Sequence, residues 1–491
     1  GYHMIDLLTQ ISTYKTETNN KITMNKYKLL SMKFLSTKYI FNKLLIVAIM
    51  TATTVTFQSA YAEPHQHGGR PHNHNLPAQG YAHKHGKGAV GRPSGSAKAK
   101  PGAGSKGQPQ PQQRRAAGGQ DPNIQLRNAY AKKDYKTVFR IASTFAKRGD
   151  PAGEYILGQL YLNGQGVKKN LQQAFSWNQK AAKKKHPGAQ YFMGVMLVKG
   201  IGTKKDPKQA MTWLKKAAPK IPDAKRDIGI MYEQGLGVKK SMTQAMKWYE
   251  QAANTGMIDV QLMLAERYLQ GSGVKKNPQK AIIFAKKAAK AGHPSANHML
   301  GIMYLNGQGT KKNEKQAFNY MKKAAKKEFP NAQYSLGLMY LDGVGTKKNE
   351  KQAFNYFNKV AKQGSPIAMA MLGDMYLNGI GVKKDFGKAA PWYKKAAKKG
   401  FSQAMLMLGD MYHDGAGVKK DMNKAMTWYK KAAKKGIPHA QYSVGAMYAT
   451  GYGKTKPDLK KSKIWLKKAA KQGHKGAKTA LQQINGKNKK K

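Results

Sequence analysis

Residues 296–330 read ANHMLGIMYLNGQGTKKNEKQAFNYMKKAAKKEFP, and from Tyr155 to Trp465 the chain repeats this pattern nine times at intervals of 36 residues, once 35. In its first half Ala296, Leu300, Gly301 and Tyr304 lie at offsets of four, five and eight, one face of a helix. Asn306-Gly307 ends that helix, since glycine takes the left-handed conformation without steric cost. A loop through Gly309 and Lys311-Lys312 follows, and Asn313 is a good N-cap. Its counterparts Asn170, Asp206, Ser241, Asn277, Asn349, Asp385 and Asp421 are all cap formers. Ala317, Tyr320, Ala324 and Ala325 then share one face of a second helix. Each unit is therefore predicted as helix, loop of seven or eight residues, helix.

Stacked in columns, the copies align a small anchor residue: Gly158, Gly194, Gly229, Ala265, Gly301, Gly337, Gly373, Gly409 and Gly445. Tyrosine stands three residues on, except at Leu197, and paired glycines six and eight residues on. All six tryptophans fall in one column, Trp177, Trp213, Trp248, Phe284, Tyr320, Tyr356, Trp392, Trp428 and Trp465. Its helical register with the Ala-Ala pairs makes core packing between units the expectation, rather than a stacking platform for bases or sugars. A period of this length marks units that bury their apolar faces only on their neighbours, so the chain of 491 residues is read as holding one continuous repeat array rather than several ~150-residue domains.

Ala404, Leu408, Gly409, Tyr412, Gly415, Gly417, Val418, Asp421, Ala425, Trp428, Tyr429, Lys431, Ala432, Ala433 and Gly436 show the pattern most completely. It resembles the Sel-one-like repeat (SLR) family, relatives of the tetratricopeptide repeats, over residues 152–475. The resemblance implies a right-handed α/α superhelix that acts as a protein-binding scaffold. Exported bacterial members combine a signal with repeats, and several are associated with host interaction or the cell envelope. Many exported members bridge their helices with paired cysteines; this chain has no cysteine, so those subfamilies are poor guides. The fold class expected is all-α, a right-handed α/α solenoid of about nine 36-residue helix-loop-helix repeats. Ala129, Tyr135, Val138, Ala142 and Phe145 suggest an atypical helical pair over 122–151, and 476–491 a capping helix with a basic tail.

Three segments precede the array. Residues 24–62 read as an export signal: Lys26, Lys28, Lys33, Lys38 and Lys43 precede the apolar run Leu44 to Phe57, and Ala60-Tyr61-Ala62 offers small residues for cleavage after Ala62. The run is short for a bilayer span, so no transmembrane helix is expected in the mature chain, which would be periplasmic or secreted. Residues 1–23 read as an upstream or mis-assigned segment. Residues 63–121, rich in Gly, Pro, Gln, His and Lys, read as a disordered linker. Within it three His-x-His pairs, His65 with His67, His72 with His74 and His83 with His85, are candidate ligands for zinc, copper or nickel. No fixed geometry and no cysteine or carboxylate cluster supports them, and the alternative is a plain polar tail.

Charge is the other large feature, with 88 Lys and Arg against 24 Asp and Glu and a formal net charge of +64. Such an excess attracts anionic polymers and surfaces. After Arg148 the only arginines are Arg226 and Arg267, so point-charge attraction is expected rather than bidentate base reading. Eight loops each hold one lysine pair. The pairs are Lys168 and Lys169, Lys204 and Lys205, Lys239 and Lys240, Lys275 and Lys276, Lys311 and Lys312, Lys347 and Lys348, Lys383 and Lys384, and Lys419 and Lys420. They precede helix starts, where positive charge is mildly unfavourable, which singles them out as candidate polyanion-binding residues. Four further pairs, beginning at Lys183, Lys326, Lys398 and Lys434, by contrast end second helices, where the dipole favours cations.

Catalytic motifs fail on inspection. Gly453-Lys454-Thr455 imitates the end of a phosphate loop without its first glycine, and Ser272-Gly273-Val274-Lys275 matches S-x-x-K without a K-T-G partner. The repeat-region histidines, His186, His293, His298, His413, His439 and His474, read as surface residues in different columns or near unit junctions. The reading is a non-enzymatic exported scaffold without cofactors. A protein or peptide partner would lie in its groove, and an anionic glycan, lipopolysaccharide or acidic membrane surface on its lysine stripes. Two alternatives stand beside it. One is a nucleic-acid or other polyanion binder, disfavoured by the export signal and scarce arginine. The other is a penicillin-interacting or envelope-related hydrolase, as some cysteine-rich relatives are described, for which no nucleophile with an adjacent base is visible.

Overall fold

The structure is a computed structural model that describes residues 121–487. The expected signal 24–62, segments 1–23 and 63–120, and residues 488–491 lie outside the described residues. So do all six candidate metal ligands of the linker, His65, His67, His72, His74, His83 and His85. Helices α1 (Pro122–Ala131) and α2 (Tyr135–Lys147) come first. Nine helix pairs follow: α3 (Pro151–Asn163) with α4 (Leu171–Lys183), α5 (Pro187–Lys199) with α6 (Pro207–Ala217), and α7 (Pro222–Gln234) with α8 (Met242–Ala253). Next are α9 (Ile258–Gln270) with α10 (Pro278–Lys290), α11 (Pro294–Asn306) with α12 (Glu314–Lys326), and α13 (Pro330–Asp342) with α14 (Glu350–Lys362). The last are α15 (Pro366–Asn378) with α16 (Phe386–Lys398), α17 (Ser402–Asp414) with α18 (Met422–Lys434), and α19 (Pro438–Thr450) with α20 (Leu459–Lys471), before α21 (Lys475–Lys487). No strand occurs among the described residues, so the fold is an all-α solenoid. Two compact units meet in sequence between Thr255 and Gly256, the first holding repeats 1–3 and the second repeats 4–9. Within each unit a helix packs on the helices before and after it in the chain.

Local chemistry sets the boundaries. Seven first helices begin with proline, whose missing N–H is an orphan at that position anyway. Glycines 164, 200, 235, 271, 307, 343, 379 and 415 end first helices with φ between 67° and 80°. All eight expected caps accept a backbone N–H three residues on at 2.9 to 3.3 Å, as does Asp458. The second loop glycine does more than relieve a dihedral. A Cβ on Gly345 would lie 2.1 Å from the carbonyl oxygen of Glu314, and one on Gly202 2.0 Å from that of Leu171. Each of these loops thus rests on the start of the second helix of the preceding repeat, closer than any side chain allows.

The anchor column is where the two helices of one repeat cross. A Cβ on Gly373 or Gly409 would lie 2.8 or 2.4 Å from the Tyr393 or Tyr429 ring, and one on Gly337 2.7 Å from Phe357. Repeat 4, whose anchor is Ala265, carries Ala285 in the facing column, so one methyl is exchanged for a large side chain.

The tryptophan column packs against the core, as expected, with Phe284 buried, but it is the margin of the core rather than its centre. The fully buried column is the next residue, including Tyr249, Met321, Phe357, Tyr393 and Leu466, while all six tryptophans are only half-buried. Five of them carry the ammonium of the lysine three residues on, 4.2 to 4.5 Å from the ring centre: Trp177 with Lys180, Trp213 with Lys216, Trp392 with Lys395, Trp428 with Lys431 and Trp465 with Lys468. Trp248, followed by Gln251, lacks a lysine there. Phe284, Tyr320 and Tyr356 additionally stack on Tyr268, Tyr304 and Tyr340 of their own repeats at 5.5 to 6.2 Å. Each lysine–ring contact contributes about 0.5–1 kcal/mol at such an exposed site.

Buried polar pairs hold repeats 7 and 8. The Tyr393 hydroxyl donates to Asp374 Oδ1 at 2.5 Å and that of Tyr429 to Asp410 Oδ1 at 2.7 Å. Burial pushes the Asp374 carboxyl up to about 7 although the tyrosine bond pulls it down. Its folded pKa lies above its unfolded one, so its contribution to stability is full below about pH 4 and is lost as pH rises through 7. Asp374→Asn should keep the acceptor, raise the thermal midpoint at pH 8 by about 4 °C or more, and leave it nearly unchanged at pH 4. Equal midpoints for the two proteins at pH 8 would refute the burial argument.

Candidate functional site

The candidate surface is built from the loops between first and second helices. In the first eight repeats each loop is pinned at both ends. The first glycine donates its N–H back into the first helix, as Gly307 does to Met303, and the cap residue donates its own to the carbonyl of the tyrosine column, as Asn313 does to Tyr304 at 2.8 Å. The same cap-to-column bond recurs at 2.7 to 2.9 Å in all nine repeats. Two lysines therefore project from one fixed backbone arrangement in each of eight loops, and all sixteen are exposed.

The two members of a pair differ. The second lysine lays the root of its side chain beside the helix-ending glycine: Lys169 at Gly164, Lys205 at Gly200, Lys240 at Gly235, Lys276 at Gly271, Lys384 at Gly379 and Lys420 at Gly415. Lys312 and Lys348 form ion pairs with Glu314 and Glu350 at 2.7 and 2.8 Å, and Lys384 lies over the Phe386 ring. The bond from Lys348 holds the Glu350 carboxyl below its usual range. The first lysines, Lys168, Lys204, Lys239, Lys275, Lys311, Lys347, Lys383 and Lys419, have no ion-pair partner among the described residues. They are the least engaged cations of the loops. In repeat 3, Lys239 and Lys240 border an open hollow with Tyr232, Val238, Ser241 and Gln244.

Charge is segregated by helix. The nine first helices carry ten Asp and Glu against four Lys and Arg, and the nine second helices carry 31 lysines against three glutamates. The lysines ending second helices are exposed, but Lys184 bonds the Gly149 carbonyl at 2.9 Å and Glu154 at 2.6 Å, a structural role.

The histidine reading is corrected in two respects. His186, His293 and His474 occupy one column, the residue before a helix, and none of the six histidines is fully exposed. His298 is buried against Ser335 at 3.3 Å, and burial pulls its imidazole down to about 4. His439 and His474, 35 residues apart, come together with 3.4 Å between ring nitrogens. No sequence motif marks that pair; its only signal is that both lie near unit junctions one repeat apart. Among the described residues no three His, Cys, Asp or Glu form a metal-binding group, and no helix is long and apolar enough to cross a membrane. The ninth loop departs from the others. Tyr452 and Thr455 exchange backbone bonds at 3.1 and 2.8 Å around Gly453-Lys454, and the next helix starts only at Leu459, unlike a phosphate loop that runs into its helix.

Comparison with known proteins agrees with this geometry. Sel1 repeats match at residues 151–186, 187–218, 222–257, 258–293, 294–329, 330–365, 366–401, 402–437 and 438–474. The chain is similar to the solved structure of c5321, described as a protective antigen present in uropathogenic Escherichia coli strains displaying an SLR fold. Identity is 32% over 71% of this chain and 75% of that one, with a TM-score of 0.60. It is also similar to a Sel1 repeat protein from Oxalobacter formigenes, 30% identical over 65% of this chain and 92% of that one, with a TM-score of 0.51. No curated protein matches the chain. Proteins built from this repeat are typically protein-interaction scaffolds and generally not enzymes. Nine consecutive matches, each a stacked helix pair and eight of them closed by a loop pinned in the same way, place the chain in the Sel1 repeat family.

Proposed function

We propose that this protein is a non-enzymatic scaffold that works outside the cytoplasm, docking on a polyanionic surface through its loop lysines while its first helices hold a protein partner. The observation that carries the reading is the recurrence of two exposed lysines at one pinned loop position in eight repeats. Anionic glycan, lipopolysaccharide or acidic phospholipid would each meet such a surface by charge, with little discrimination. The segregation of charge supports separate partners, because first helices carrying more acids than bases present a different chemistry from the lysine-rich remainder. Salt separates the two modes. Binding through loop lysines should weaken steeply between 50 and 500 mM salt, about 0.7–0.9 in logarithmic slope per anionic contact, whereas a partner held by apolar and hydrogen-bonded contacts should remain.

Export is the second part of the proposal. The basic stretch, apolar run and Ala60-Tyr61-Ala62 support it, and the description of the related Escherichia coli protein as a protective antigen is in keeping with it. Residues 24–80 fused to a reporter should deliver it outside the cytoplasm, cut after Ala62. An uncut cytoplasmic product would overturn the localisation.

A further inference from the structure

The last helix is held on the array by three rings. His474 precedes α21 and stacks on Tyr442 of α19 at 4.6 Å and 21°. Its Nδ1 accepts the backbone N–H of Ala477 at 3.2 Å, so that nitrogen presents a lone pair. The proton of the neutral ring is then on Nε2, which faces Nδ1 of His439 at 3.4 Å. For this contact to be a hydrogen bond, His439 Nδ1 must also present a lone pair. This arrangement satisfies both nitrogens of His474 and Nδ1 of His439, with the His474 imidazole uncharged. Protonating His474 turns its cap acceptor into a donor aimed at another N–H, at a helix start that already disfavours positive charge. Protonating His439 sets N–H against N–H.

We propose that the His439–His474 pair is an acid-released latch that fastens α21 to the end of the array. What the latch covers is apolar: Leu466, Ala469 and Ala477 form the terminal core, with Tyr442, Leu481 and Ile484 packed on it. Among the described residues, the helices packed around His474 bring it no carboxylate. Helices α18, α19, α20 and α21 contain no Asp or Glu, and Asp421 and Asp458 cap the starts of α18 and α20, whereas the latch follows their ends. Asp414 on α17 is taken by His413, and Asp410 accepts from Tyr429. The charged side chains at the latch end of these helices are cations: Lys434, Lys435, Lys471, Lys475 and Lys478.

His186 shows what is particular here. It caps Ala189 at 3.1 Å and stacks on Tyr155 at 4.5 Å in the same way, and burial lowers its imidazole too, but there the Asp150 charge works against the shift, whereas His474 faces a second imidazole. Burial, with His439 as a lesser cause, holds His474 below the usual imidazole range. A folded pKa below the unfolded one means that the stabilisation is present above the unfolded value and is lost as pH falls through it toward the folded one. Opening is therefore expected on acidification below about 6.5.

Native-state hydrogen exchange on the whole chain reads this directly. After correction for intrinsic rates, protection of the α21 amides should fall several-fold between pH 7.5 and 5.5, while that of α12 and α14 should not. In the double variant His439→Asn, His474→Asn, asparagine caps without titrating, and the fall should vanish. Unchanged α21 protection in the parent, or an equal fall in the variant, overturns the latch. Should the variant leave α21 undocked at pH 7.5, nitrogen-15 spectra of the parent's histidines decide. A neutral His474 protonated on Nε2 and titrating below an unfolded histidine supports the latch, and Nδ1 protonation or an ordinary titration refutes it.

Discussion

Gly345→Ala should destabilise the array by about 3–5 kcal/mol, the sum of left-handed strain and a steric conflict that cannot relax locally. Gly345 has φ +67°, and its added Cβ would meet the Glu314 carbonyl oxygen at 2.1 Å and Phe318 Cβ at 3.0 Å. Both obstacles belong to the preceding repeat, so relief requires the two repeats to separate. Gly400→Ala provides the contrast. Its φ is +87°, but nothing lies within 4 Å of the new methyl, so only the dihedral cost of about 1–2 kcal/mol applies. In urea, an array of repeats need not unfold in one step, so the comparison is between the first transitions of the two variants. Gly345→Ala should unfold first and should expose repeats 5 and 6 to protease while distant repeats stay protected. Coincident first transitions would show that the close approach of loop and helix carries no energetic weight.

The second large effect is on binding. Replacing Lys275, Lys311, Lys347 and Lys383 by glutamine should weaken heparin or lipopolysaccharide binding at least about tenfold at 0.1 M salt and lower the salt slope by about 3. These four carry no ion pair, unlike Lys312 and Lys348, whose substitution would also strand Glu314 and Glu350. Stability should hardly change, because each replaced cation is exposed and sits just before a helix start. Four matched substitutions at Lys326, Lys362, Lys398 and Lys434, in the last turns of second helices, should instead cost a few tenths of a kcal/mol each through the dipole. If the two quadruple variants lose binding equally, net charge rather than the loop position governs attraction. If neither loses any, the polyanion reading fails and the first helices must carry the function.

The amino-acid sequence alone determined the period, the helix pairs, their caps and the loop glycines, because each depends on residues within one turn of one another: a proline at N1, an asparagine three residues before its N–H donor, a glycine at positive φ. It likewise placed the lysine pairs, since a column in a repeat has one local environment. Only tertiary structure decided which of two adjacent positions, Trp177 or Asn178, Trp392 or Tyr393, faces the anchor glycine. Neighbouring residues on a helix differ by about 100° and both border the apolar arc, so the crossing of the paired helices makes the choice. The same holds for the neutralising burial of Asp374 and the meeting of His439 with His474. Those properties depend on distances between helices, which a repeating pattern leaves open until the helices are stacked.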